Sequence, residues 1–196
     1  YTRPYTLSLH DALPICTPAQ VVAPVASGSL LTKVDKAWRE MADLGLIEQS
    51  EYTVFGAQAT GCSPVAQAFD AGWDVVKPVK PDTIAKSLAI GNPADGPYAL
   101  DVVRRTGGSI AAVSDDDVVD GIRLLARTEG IFAETAGGVV VANLRQMIKD
   151  GALDPEAETV ILNTGDGLKT LDAVMGFAKP TATIRPDVDE VRAAIS

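Results

Sequence analysis

The 196-residue chain carries 26 acidic against 17 basic side chains, a formal charge of −9 with a sequence pI near 4.5, which excludes nucleic acid as its natural partner. Hydrophobic residues at 46% and charged ones at 22% match a globular composition. No apolar run approaches the roughly 18 residues a spanning helix needs, so the expectation is a soluble, cytoplasmic protein with no membrane partner.

Tyr1 to Cys16, YTRPYTLSLHDALPIC, has no period. It resembles the tail produced when sequencing-adapter DNA is translated at the broken end of an assembled fragment, so residues 1–16 are expected to be non-native and outside the compact fold. The single histidine, His10, lies in it. Two cysteines, Cys16 and Cys62, form no CxxC or Cys/His cluster; no metal site is expected, and both thiols should be reduced. Acid/base work falls to Lys, Asp, Glu, Tyr, a cofactor or residues outside this chain.

From Gln20 to Ala26 an apolar, β-branched run reads as a strand; Ser27-Gly28-Ser29 breaks it. Leu31, Val34, Trp38 and Met41 then recur at helical spacing up to Gly45. A second strand spans Tyr52 to Ala57, and Gly61-Cys62-Ser63-Pro64 leads into a short helix from Val65 to Asp70. Asp82 is placed to cap a helix over Thr83 to Ile90, and Pro97 to open another with Leu100 and Val103 facing inward. Ser109 to Val113 reads as a strand. Ser114 and Asp117 have the spacing of a capping box for a helix carrying Val118, Ile122 and Leu125 on one face. A further helix runs to Lys149 before Gly151, Thr159 to Leu162 is a strand, and a last helix covers Val188 to Ala194. Strands alternating with helices predict an α/β fold, a mostly parallel sheet with helices on both faces.

Five breaks are candidates for chemistry. Ala26-Ser27-Gly28-Ser29-Leu30 lies between a buried strand and a helix, where free N–H groups and the helix dipole favour an anion; it fits neither GxxxxGK[ST] nor GxGxxG, and an ordinary strand–helix turn accounts for Ser and Gly equally well. Thr164-Gly165-Asp166-Gly167 follows a late strand, where open α/β sheets place ligands, or is a tight turn with glycines at positive φ. Glu129 falls either on the apolar face of its helix or at a frayed end in water. Ala89-Ile90-Gly91-Asn92-Pro93 and Glu134-Thr135-Ala136-Gly137-Gly138 are breaks that could line a cleft.

Taken together, VVAPVASGSLLTKVDKAW, VFGAQATGCSPV, PDTIAKSLAIGNPADGP, LLARTEGIFAETAGG and ILNTGDGLKT, from about Val21 to Thr170, resemble the C-terminal half of the threonine synthase family, pyridoxal-phosphate enzymes of fold type II. The resemblance implies that Ala26, Ser27, Gly28, Ser29 and Leu30 hold the phosphate of pyridoxal 5'-phosphate, in a loop with less glycine and asparagine than the family usually has. It further implies that the Thr164 hydroxyl lies beside the pyridine nitrogen and leaves that nitrogen largely unprotonated. The family's Schiff-base lysine belongs to an N-terminal motif not found here, so the catalytic residue is unknown and a fragment, inactive alone, is expected. The implied segments are the tail 1–16, a cofactor-binding portion 17–180 and an extension 181–196. The implied reaction of the intact parent, a homodimer, converts O-phospho-L-homoserine and water to L-threonine and phosphate. A sibling such as threonine dehydratase or cysteine synthase, or a non-catalytic module binding a phosphorylated ligand, is the alternative.

Overall fold

The structure, a computed structural model, describes residues 16–48, 50–176 and 182–195. Most of the expected tail, residues 1–15 with His10, lies outside them; Cys16 forms an isolated parallel bridge to Glu48.

Four strands make one sheet among the described residues: β1 Gln20–Pro24, β2 Thr53–Ala59, β3 Ile110–Val113 and β4 Thr159–Ile161. Their order is β3-β2-β1-β4, every pair parallel, with Val22 opposite Phe55 on one side and Ile161 on the other. β1 is buried along its whole length, which is why it reads as a continuous apolar run instead of an alternating one. Val21, Ala23 and Val25 face one core with helices α1 Ser29–Asp43, α2 Pro64–Asp70 and α3 Gly96–Arg105. Val22, Phe55 and Ala57 face the other, against α4 Asp115–Glu129 and α5 Thr135–Lys149. The α/β sheet covered on both faces is as expected from the strand–helix alternation. A last helix, α6 Val188–Ile195, buries no residue.

Local chemistry explains most boundaries. The Ser114 hydroxyl accepts from the Asp117 N–H at 3.2 Å while the Asp117 carboxylate accepts from the Ser114 N–H, the capping box expected for α4. Leu100 and Val103 are buried under α3, and Pro97 sits in its first turn. Both thiols are free, Cys16 exposed and Cys62 buried, and burial pushes the Cys62 thiol up.

Two expected elements differ. Thr83 to Ile90 is not an α-helix; only Lys86–Leu88 forms a 3-10 turn. The Thr83 hydroxyl donates to Asp115 Oδ1 at 2.5 Å, the Ile84 N–H to Asp115 Oδ2 at 3.0 Å, and the Asp82 N–H to the Gly61 carbonyl. The groups that would have capped and continued a helix are spent on tertiary partners. In α1 the deeply buried face is Leu31, Thr32 and Asp35, while Val34, Trp38 and Met41 are only half-buried. Asp35 is drawn inward by Tyr52 and Arg105 from neighbouring segments and is also bonded by Arg39 of its own helix.

Candidate functional site

At the carboxyl ends of β1 and β4 a cleft of about 200 Å³ is lined by Ala26, Ser27, Gly28, Ser29 and Leu30, by Thr164, and by Ser87, Leu88, Glu134 and Ala136. All six residues singled out for a cofactor in the sequence thus line one cleft, although 134 positions separate Leu30 from Thr164. Glu134 and Ala136 come from the second of the two breaks read as possible cleft walls. The other, Ala89 to Pro93, does not reach the cleft; Gly91 packs instead on the 79–81 segment, its carbonyl accepting from the Val79 N–H. Glu129 is exposed at the end of α4.

The loop turns its carbonyls into the protein. The Val25 carbonyl accepts from Gln58 Nε2 at 3.1 Å, that of Ser27 from the Asp95 N–H at 2.8 Å, and that of Gly28 from the Thr32 N–H at 3.1 Å. The N–H groups of Ala26, Ser27, Gly28 and Leu30 make no hydrogen bond to another described residue; only the Ser29 N–H has a local acceptor, the Ser27 hydroxyl at 3.3 Å. Gly28, the N-cap of α1, has φ 94° and provides no side-chain cap. A Cβ there would come within 2.7 Å of the Asp95 carbonyl oxygen, so the position needs glycine both for its backbone and for its neighbour. Three unpartnered N–H groups ahead of a 15-residue helix and a fourth, that of Leu30, in its first turn suit a phosphate, and the residues present fit that group.

The opposite wall is polar in the other sense. Glu134, 6% exposed, is the N-cap residue of α5 but makes no side-chain cap, and its carboxylate accepts no hydrogen bond from another described residue. Its N–H donates to the Gly165 carbonyl at 3.0 Å. Gly165 and Gly167 are not at positive φ, contrary to the tight-turn reading. They are small because a Cβ at Gly165 would run into the Glu134 carboxylate and one at Gly167 into the Phe132 ring. The Thr164 side chain is exposed and its hydroxyl has no partner among the described residues. Glu134 is the site residue that sequence reading left inside a loop; its one signal is an acidic side chain directly before the small run Thr135 to Gly138. Among the described residues no lysine lines the cleft.

A larger cavity, about 770 Å³, opens at the other end of the sheet and is lined by Trp38, Arg39, Tyr52 and Arg105 among others. Beside it Asp35, 1% exposed, accepts from Tyr52 Oη at 2.8 Å, Arg105 at 2.9 Å and Arg39 Nε at 3.1 Å. Burial and then the Asp35 carboxylate raise the Tyr52 hydroxyl above its ordinary value. For Arg105 burial works downward, but the Asp35 hydrogen bond and charge carry it upward. No group of His, Cys, Asp and Glu that could hold a metal occurs among the described residues.

With a parallel α/β sheet and an anion-ready loop at its carboxyl edge, comparison with known proteins gives the class. Residues 6–165 match the family described as pyridoxal-phosphate dependent enzyme, and the chain belongs to it; pyridoxal phosphate is the family's cofactor. Among curated relatives it is similar to threonine synthase of Methanocaldococcus jannaschii, 33% identical over 183 residues, which span 93% of this chain and 45% of that protein. Threonine synthase of Methanosarcina acetivorans is 31% identical over 188 residues, 95% of this chain and 46% of that one. The chain therefore spans about half the length of these relatives. Among solved structures, a fungal L-serine ammonia-lyase from Rhizomucor miehei superposes with a TM-score of 0.63 at 26% identity, over 87% of this chain and 52% of that one. A threonine deaminase from Solanum lycopersicum shares the fold, with TM-score 0.63 at 15% identity over 86% and 47% of the two chains. No helix among the described residues is long and apolar enough to cross a membrane.

Proposed function

We propose that this chain is the cofactor-binding portion of a threonine synthase, whose whole protein converts O-phospho-L-homoserine and water to L-threonine and phosphate. The observation that carries the reading is the cleft of Ala26 to Leu30, in which the carbonyls are tied inward and the N–H groups left free. The curated threonine synthases at 31–33% identity supply the choice of reaction.

In this reading the N–H groups of Ala26, Ser27, Gly28 and Leu30 bind the cofactor phosphate at the amino end of α1, where the helix dipole adds to them. When bound, the cofactor supplies an electron sink for the carbanions of the elimination and hydration. Thr164 offers a neutral hydroxyl to the ring, which can donate or accept but cannot hold a charge there. Glu134 offers the cleft a carboxylate acceptor with no competing donor from the described chain, and Leu88 and Ala136 give it apolar wall that displaces water. In this reading the lysine that would carry the cofactor is not among the residues that line the described cleft, and the 196-residue chain alone is expected to have no turnover. On the same reading residues 17–180 are the cofactor-binding portion and 181–196 an extension; the intact enzyme is a cytoplasmic homodimer.

The test is to express the complete reading frame and assay two substrates. Inorganic phosphate and L-threonine released in equal amounts from O-phospho-L-homoserine is the expected result. Formation of 2-oxobutanoate from L-threonine, with O-phospho-L-homoserine untouched, would assign the sheet to a dehydratase, the reading favoured by the L-serine ammonia-lyase neighbour.

A further inference from the structure

The geometry points to Gln58 as the positioning residue that aims the cleft loop at its anion and couples it to α2 and α5, an inference resting on the loop's reading as a phosphate cradle. Gln58 is fully buried near the carboxyl end of β2. Its Nε2 donates to the Val25 carbonyl at 3.1 Å. Its Oε1 accepts from the Val65 and Ala66 N–H groups of α2, at 3.1 and 2.9 Å, and its main-chain carbonyl accepts from Asn143 Nδ2 of α5 at 3.0 Å.

Val25 is where the strand becomes the loop. Its N–H still pairs in the sheet, donating to the Ala57 carbonyl at 2.9 Å, but β1 has ended and the ladder offers its carbonyl no donor. Gln58 supplies one. A trans peptide is planar and points its carbonyl and the following N–H in opposite directions, so drawing the Val25 carbonyl into the core turns the Ala26 N–H away from it. That N–H lacks a partner among the described residues and belongs to a cleft residue. A buried carbonyl without a donor is costly, so loss of Gln58 would let this peptide turn over and spend the Ala26 N–H or the carbonyl elsewhere. The amide is used on both sides: an apolar residue of the same size fills the volume but frees the loop and α2 together, whereas glutamate keeps an acceptor for Val65 and Ala66 and, ionised, cannot donate to Val25.

The experiment compares the 196-residue chain with Gln58→Met and Gln58→Glu by amide exchange and by titration with pyridoxine 5'-phosphate, which lacks the aldehyde and cannot label lysines. The Thr32 and Asp95 amides, bonded to the Gly28 and Ser27 carbonyls, report the loop, Val65 and Ala66 report α2, and α4 serves as internal reference. The expected result is that loop protection falls at least tenfold in both variants with α4 unchanged. Protection of Val65 and Ala66 is lost in Gln58→Met and retained in Gln58→Glu, and the dissociation constant rises at least tenfold in both. Equal affinity and loop protection in Gln58→Met would overturn the inference, as would a uniform loss of protection reaching α4, which marks a plain core residue. Absence of any ligand-induced shift in the unsubstituted chain would instead remove the cradle reading, and the inference with it.

Discussion

The two ends of the sheet differ in how their polar groups are spent. At the amino end the larger cavity sits over Asp35, whose carboxylate is occupied by Arg39, Tyr52 and Arg105, while Trp38 and Tyr52 stack edge-to-face at 4.9 Å. At the carboxyl end the cleft has about a quarter of the volume, yet it gathers free N–H groups, an unpartnered carboxylate and an unpartnered hydroxyl. Buried polar groups are almost always satisfied in folded proteins. Those of the amino end are satisfied by one another, which makes them structure; in the proposed reading those of the carboxyl end are left for a ligand. Volume alone would have chosen the amino end.

The largest expected effect breaks the amino end. Asp35→Ala leaves two guanidinium groups and a phenol without their shared acceptor, and unfolding in urea should show a loss of about 3 kcal/mol, the scale of hydrogen bonds to a charged group. Ligand binding at the carboxyl end should be unchanged. A loss below about 0.5 kcal/mol would mean the network is ornamental.

Gly28→Ala tests the other end. The substitution meets both an unfavourable φ and the Asp95 carbonyl, so a loss of about 2 kcal/mol is expected together with weakened phosphate binding. Because stability suffers too, Ser27→Ala is the cleaner partner variant: it removes one 3.3 Å contact to the Ser29 N–H, costs about 0.5 kcal/mol, and leaves the main-chain donors in place. Equal effects of the two on affinity would argue against a main-chain cradle.

The alkaline limb of stability distinguishes the ends through Tyr52. Its hydroxyl is raised in the folded chain by burial and by Asp35, so the folded state holds the proton more tightly. The stabilisation is complete below the unfolded value of about 10 and is lost as pH climbs through the folded value. Urea midpoints should fall over that window in the parent and fall less in Tyr52→Phe; parallel curves would remove Tyr52 from the network.

The smallest effect on stability is expected at Thr164. Its exposed hydroxyl has no partner among the described residues, so Thr164→Ala should change stability by less than about 0.5 kcal/mol. In the complete enzyme it should cost about 0.5–1.5 kcal/mol in activity, measured as kcat/KM. Unchanged kinetics would take Thr164 out of the site.

Much of this was legible in the chain because local rules and tertiary context agree there. The strand, small loop and helix from Gln20 to Asp43, the capping box at Ser114 and Asp117, and the two cleft loops each carry their own signal. Thr83 to Ile90 misled for the opposite reason: a capping aspartate and good helix formers are present, but Asp115 and Gly61, distant in sequence, claim their hydrogen bonds. Asp35 and Gln58 were invisible for a related reason. A polar residue inside an apolar pattern does not announce its partners, and those of the Asp35 and Gln58 side chains lie up to 70 and 33 positions away.

The central claim is that the carboxyl-end cleft, not the larger cavity, receives the phosphate-bearing cofactor. Titrating the isotope-labelled 196-residue chain with pyridoxine 5'-phosphate while following backbone amides tests it directly. The account predicts saturable shifts at Ala26 to Leu30, with smaller ones at Glu134 and Thr164, and none at Trp38, Tyr52 or Arg105. Shifts confined to the amino-end cavity, or no saturable shift in the loop at all, would contradict it.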